Sequence, residues 1–157
     1  MTSYTSSSRK ERGRRILLVE DEPFVREATA HILHNAGFEV LAAADAAEAL
    51  AAYEQSEKKI DLVMSDLVLP GRSGIELVHD LRLRSRELSI LLTSGYGESA
   101  TQCESWDVDT HYLAKPYSRQ SLLEKIEQIL QVGPLSVPRL GRVSVDKRQC
   151  TVAGRTQ

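Results

Sequence analysis

The chain is short of cysteine, of long apolar runs and of positive charge at its centre, and each shortage removes a class of function. Its two cysteines, Cys103 and Cys150, lie far apart with no CxxC spacing. That pattern sets aside a disulfide framework or a thiolate metal site and suits reduced thiols in a cytoplasmic protein. No uninterrupted apolar stretch among the 157 residues is long enough to span a bilayer. The basic opening MTSYTSSSRKERGRR is not followed by the apolar core of a signal peptide, so no membrane partner is expected. Residues 1–15 hold five basic residues and one acidic, residues 132–157 hold the same, and ten basic and twenty acidic residues lie between. Binding phosphate backbones takes clustered Lys and Arg, so the acidic body argues against nucleic acid as a ligand and suits a divalent cation.

What is there alternates between two periods. RRILLVE (14–20), FEVLAA (38–43), DLVMSD (61–66), LSILLTS (88–94) and THYLAK (110–115) read as short buried strands. Helices separate them. PFVREATAHILHNAG starts with Pro23 at a first helical position and stops at Gly37. Asp45 is placed to cap AAEALAAYEQS. GIELVHDLRLRS (74–85) offers Ile75, Leu77, Val78 and Leu81 as an apolar face. SRQSLLEKIEQILQ (118–131) offers Leu122, Leu123, Ile126, Ile129 and Leu130. Residues 97–109 give only a weak, short, polar helix, and residues 1–13 read as a disordered basic tail. Five strands separated by helices imply an α/β fold, a doubly wound parallel sheet flanked by helices, with its ligand site at the carboxyl ends of the strands.

Polar groups collect at those ends. Glu20 and Asp21 follow the first strand, Asp66 ends the third, Thr93 lies at the end of the fourth, and Lys115 closes the fifth. Burying a charge such as Asp66 is costly unless it is paired or metal-bound. Three converging carboxylates would repel, and their hard oxygens suit Mg²⁺, which binds one or two carboxylates together with a phosphate. A Lys pairs with a phosphoryl oxygen, a Thr hydroxyl donates to another, and an aspartate is a competent nucleophile toward phosphorus. The plain alternative for Asp66 is a turn former ahead of Pro70 and Gly71, with Gly71 and Gly74 as turn glycines. His31 and His34 read as solvated positions on the first helix.

Taken together, VEDE (19–22), SDLVLPGRSG (65–74), LLTSGYG (91–97) and YLAKPY (112–117), in this order over residues 14–131, resemble the receiver domain of two-component response regulators. The resemblance implies the flavodoxin-like receiver fold and a role in phosphorelay signalling. Asp66 would be the phosphoacceptor, with Mg²⁺ held by Glu20, Asp21, Asp66 and the backbone carbonyl of Val68. Thr93 and Lys115 would contact the phosphoryl group, and Thr93 and Tyr112 would form the switch. Pro116 would follow a cis bond. The donor would be a sensor histidine kinase or a histidine phosphotransfer protein, and the output face would comprise the weak fourth helix, the fifth strand and the last helix.

Such a domain catalyses much of its own phosphorylation but turns over no external metabolite, so it is not expected to be an enzyme in that sense. A phosphatase with an aspartyl intermediate would want a second acid where Val68 stands. Two departures from the family pattern are Glu20, where Asp is commoner, and Tyr117, where Phe is usual. The latter leaves a hydroxyl needing solvent or a partner. A homodimer stays open. Residues 132–157 read as a linker and short extension, with GRVSVDKRQCTVAG alternating as a β-hairpin. A truncated winged-helix, DNA-binding regulator is the alternative reading, although no recognition helix follows.

Overall fold

The computed structural model describes residues 13–95 and 110–131. Residues 1–12 of the basic tail, the weak helix of residues 97–109 and the C-terminal extension of residues 132–157 therefore lie outside the described residues. Those described form β1 (Arg15–Val19), α1 (Pro23–Asn35), β2 (Glu39–Ala43), α2 (Ala46–Gln55), β3 (Leu62–Asp66), α3 (Gly74–Arg84), β4 (Ser89–Ser94), β5 (Thr110–Ala114) and α4 (Arg119–Gln131). All neighbouring strands pair in parallel, in the order β2-β1-β3-β4-β5. The chain turns to opposite sides after β1, so the crevice of the sheet opens at the carboxyl ends of β1 and β3. No described helix is long and apolar enough to cross a membrane.

The sheet is buried from both sides because its strands carry apolar residues at successive positions. Ile16, Leu18, Leu62, Met64 and Leu91 face α1 and α4, where Leu33, Leu122, Ile126 and Ile129 complete one layer. Leu17, Val19, Val63, Ile90 and Leu92 face α2 and α3, where Ala46, Ala49, Leu77, Val78 and Leu81 complete the other. Alternation along each strand thus feeds two cores.

Local signals set the helix ends. Pro23 occupies the first turn of α1, and the chain leaves α1 through Gly37 at φ +99°. The Asp45 carboxylate accepts the Glu48 amide proton at 2.8 Å. Ser73 and Glu76 form a reciprocal capping box at the start of α3.

Two expectations change at α3. Ile75 is 45% exposed and does not join the apolar face. The buried stripe is Gly74, Leu77, Val78 and Leu81, a spacing of i, i+3, i+4, i+7 that turns Ile75 about 100° away. Gly74 is the first residue of α3 rather than a turn residue, and its amide donates to the Leu67 carbonyl at 2.8 Å. A Cβ at this position would sit 2.3 Å from the backbone oxygen of Asp66. Only a glycine lets α3 approach the end of β3 this closely. Gly71, at φ +76°, is the glycine that the turn itself requires.

Two predictions follow from the packing. Ala normally gains helix stability over Gly by about 1 kcal/mol, but here the clash with backbone outweighs it. Gly74→Ala is expected to lower the unfolding free energy by roughly 1–3 kcal/mol in urea titration; equal or greater stability contradicts the close approach.

The second concerns Glu39, paired with Arg15 across β1 and β2 at 2.7 Å. The Arg15 hydrogen bond, aided by the Lys58 charge, holds the Glu39 carboxyl below its ordinary value of 4.5. A depressed folded-state pKa gives stability that is present above the unfolded value and lost as pH falls through the folded one. The stability gap between wild type and Glu39→Gln should therefore be widest above about pH 5 and close under acid. A gap independent of pH contradicts the pairing.

Candidate functional site

The carboxyl ends of β1, β3, β4 and β5 bring the predicted polar residues to one rim. Glu20 directly follows β1, its amide donating to the Ala43 carbonyl of β2 at 3.0 Å, and it is only 3% exposed. Asp66 ends β3, pairs in register with Thr93 of β4, and is largely covered. Lys115 follows β5, with its amide donating to the Ser94 carbonyl at 2.8 Å.

Its ammonium lies between the first two, donating to Glu20 Oε2 at 2.6 Å and to Asp66 Oδ2 at 3.0 Å. Burial draws the Lys115 pKa down, but the hydrogen bonds to Glu20 and Asp66 and both carboxylate charges outweigh it, leaving a net upward shift. Lys115 is firmly cationic.

The other oxygens are also held. Glu20 Oε1 accepts the Glu22 amide at 3.2 Å, and Asp66 Oδ1 accepts the Val68 amide at 3.2 Å. Asp21 is exposed, and one carboxylate oxygen from each of Glu20, Asp21 and Asp66 lies within 4.8 Å of the others. Three carboxylates thus face one ammonium, an excess of negative charge on hard oxygens. That donor set fits a small divalent cation such as Mg²⁺.

Thr93 is buried, and its hydroxyl donates to the Ser65 carbonyl at 3.4 Å. The Tyr112 hydroxyl donates to the Ser94 carbonyl at 3.4 Å, and its ring packs against the α2–α3 core layer. The Val68 side chain is exposed beside Asp66. The Lys115–Pro116 peptide is cis. The Tyr117 hydroxyl has the partner it needs: Thr29 Oγ1 of α1, at 3.1 Å.

Sequence reasoning missed three contributors. Arg26 Nη1 donates to the Glu20 carbonyl at 2.8 Å and the Asp21 carbonyl at 3.4 Å, bracing the acidic loop. Its signal was a cation in the opening turns of a helix, where the helix dipole disfavours positive charge. Thr29 was signalled by a β-branched polar residue in the middle of α1. Gly74 carried no signal beyond being glycine, because its role depends on a backbone atom of another element.

The chain is 35% identical over 128 residues to the phosphate regulon transcriptional regulatory protein PhoB of Pseudomonas aeruginosa, covering 78% of this chain and 54% of PhoB. It spans about half the length of the curated regulators it matches, and 12% of a curated sensor kinase. The receiver domain of the hybrid histidine kinase CckA is 37% identical, with TM-score 0.65 and coverage of 74% of this chain and 99% of that one. The response regulator TrrA of Thermotoga maritima, solved in complex with Mg²⁺–BeF, is 32% identical, with TM-score 0.67 and coverage of 74% and 99%. Residues 16–127 match the response regulator receiver domain, and the chain belongs to that family.

Proposed function

We propose that this domain receives a phosphoryl group on Asp66 from a phosphohistidine of a sensor kinase or a histidine phosphotransfer protein, and relays the change through the face that carries Tyr112 and α4. The single observation that carries the reading is the shared ammonium: Lys115 reaches both a buried acid and Asp66 within 3.0 Å. Family membership supplies the reaction class, phosphoacceptance in two-component signalling.

In the transfer, an Asp66 carboxylate oxygen forms a bond to phosphorus while the bond from phosphorus to the histidine nitrogen breaks, and the electron pair returns to the imidazole. Little covalent chemistry is asked of the protein beyond the nucleophile; position and charge do the rest. Lys115 keeps its contact with Glu20 and turns its remaining protons toward a phosphoryl oxygen, stabilising the charge that develops there. Thr93 gives up its long bond to the Ser65 carbonyl and donates to another phosphoryl oxygen. Tyr112, whose hydroxyl reaches the Ser94 carbonyl of the neighbouring strand, would follow that movement. Glu20, Asp21, Asp66 and the Val68 carbonyl would hold Mg²⁺, which would supply neutralising charge there. The solved complex of the related TrrA with Mg²⁺–BeF is consistent with a divalent cation at such a site.

A second reading is favoured by the PhoB match: this receiver would then govern a DNA-binding part of a transcriptional regulator. The acidic body of residues 16–131 would leave DNA contact to other residues.

Acetyl phosphate with Mg²⁺ is expected to add one phosphoryl group to the wild type, read by intact mass. Asp66→Asn should stay unmodified, and Lys115→Ala should be labelled roughly 10²-fold more slowly, the loss typical of one charge-stabilising donor. Equal labelling of Asp66→Asn refutes the assignment.

A further inference from the structure

Lys115 does its work from a half-buried position on the segment that follows β5. The residue is fixed on one side by its amide bond to Ser94. On the other side the chain passes through Pro116 and Tyr117 to Ser118, whose hydroxyl accepts the Ser121 amide at 3.0 Å at the start of α4. Between these anchors, the segment borders an open groove of about 570 Å³ lined by Phe24, Val25, Ala28 and Ile32 of α1. Phe24 is 81% exposed, so the groove does not close over the segment. Apolar contact alone gives little resistance to sliding along such a surface.

Among the described residues, one hydroxyl contact bridges it. Thr29 is 3% exposed in the interior of α1, and its hydroxyl meets the Tyr117 hydroxyl at 3.1 Å. Packing does not require either oxygen, since Val and Phe would fill the same volumes. A half-buried hydroxyl pair costs some desolvation and returns only a modest net gain. What it supplies is a fixed geometry.

We propose that Thr29 and Tyr117 are positioning residues for phosphoryl transfer: their hydroxyl contact pins the turn after Lys115 to α1 and so keeps the ammonium in its bridge between Glu20 and Asp66. The proposal rests on Asp66 being the phosphoacceptor. It also gives the departure from the usual Phe at position 117 a purpose. Neither residue touches the reacting atoms; both act through Lys115. Small displacements of a charge-stabilising group cost rate directly, and losing one hydrogen bond of ordinary strength corresponds to about fivefold.

The test measures the rate of phosphorylation against acetyl phosphate concentration, with Mg²⁺, for wild type, Tyr117→Phe, Thr29→Val, the double variant, Thr29→Ser and Asp66→Asn. Tyr117→Phe keeps the ring and its packing, so it remains informative even where Thr29→Val folds poorly. Each single variant is expected to lower the maximal rate about fivefold with the half-saturating donor concentration unchanged. The double variant should be no slower than either single, and Thr29→Ser, which keeps the hydroxyl, should stay near wild type. Wild-type maximal rates in the singles, or losses that multiply in the double variant, overturn the inference while Asp66→Asn stays inert. If Asp66→Asn is labelled like wild type, the acceptor assignment fails and this inference falls with it.

Discussion

One ammonium shared by two carboxylates organises the top of this molecule. Glu20 is buried at the end of β1 and Asp66 is largely covered at the end of β3, positions where unpaired negative charge is costly. Lys115, just after β5, offsets that cost at 2.6 and 3.0 Å, but it does so only because the parallel sheet brings these strand ends to one rim. With Asp21 added, three acids face one base, and the residual negative charge on hard oxygens suits a divalent cation.

The surroundings hold this rim from below and from both sides. Two apolar layers fix the strands, so the residues at their ends inherit a rigid base. Arg26 grips the carbonyls of the acidic loop from α1, and Gly74 lets α3 press against the carbonyl of Asp66. Thr29 and Tyr117 secure the segment that carries Lys115. The groups closest to the chemistry are braced by backbone contacts, while Thr93 and Tyr112 are held by hydrogen bonds of 3.4 Å. Long, weak bonds are easily exchanged, which suits the switching proposed for these two residues.

Much of this was legible in the chain. The strands and helices followed from Ile, Leu and Val runs alternating with amphipathic stretches, because each element obeys its own period. Pro23, Asp45 and Gly37 marked their boundaries through local chemistry alone. The convergence of Glu20, Asp21, Asp66, Thr93 and Lys115 was legible because the topology forces strand ends together. Ile75 was misread because apolar character does not say which way the first turn of a helix faces; the buried Gly74 sets that. The braces were not legible. Arg26 acts on carbonyls, Gly74 on a backbone oxygen and Thr29 on a residue 88 positions away, and none of these partners is written in a local pattern.

The central claim is that the acids of β1 and β3 and the Lys after β5 form one cation-responsive centre. Titrating the protein with Mg²⁺ while following its backbone amide resonances tests this most directly. Saturable shifts confined to the segments around Glu20, Asp21, Asp66, Val68 and Lys115, and abolished by Asp21→Asn, are the predicted result. Shifts that fail to saturate, or that centre elsewhere on the domain, would contradict it.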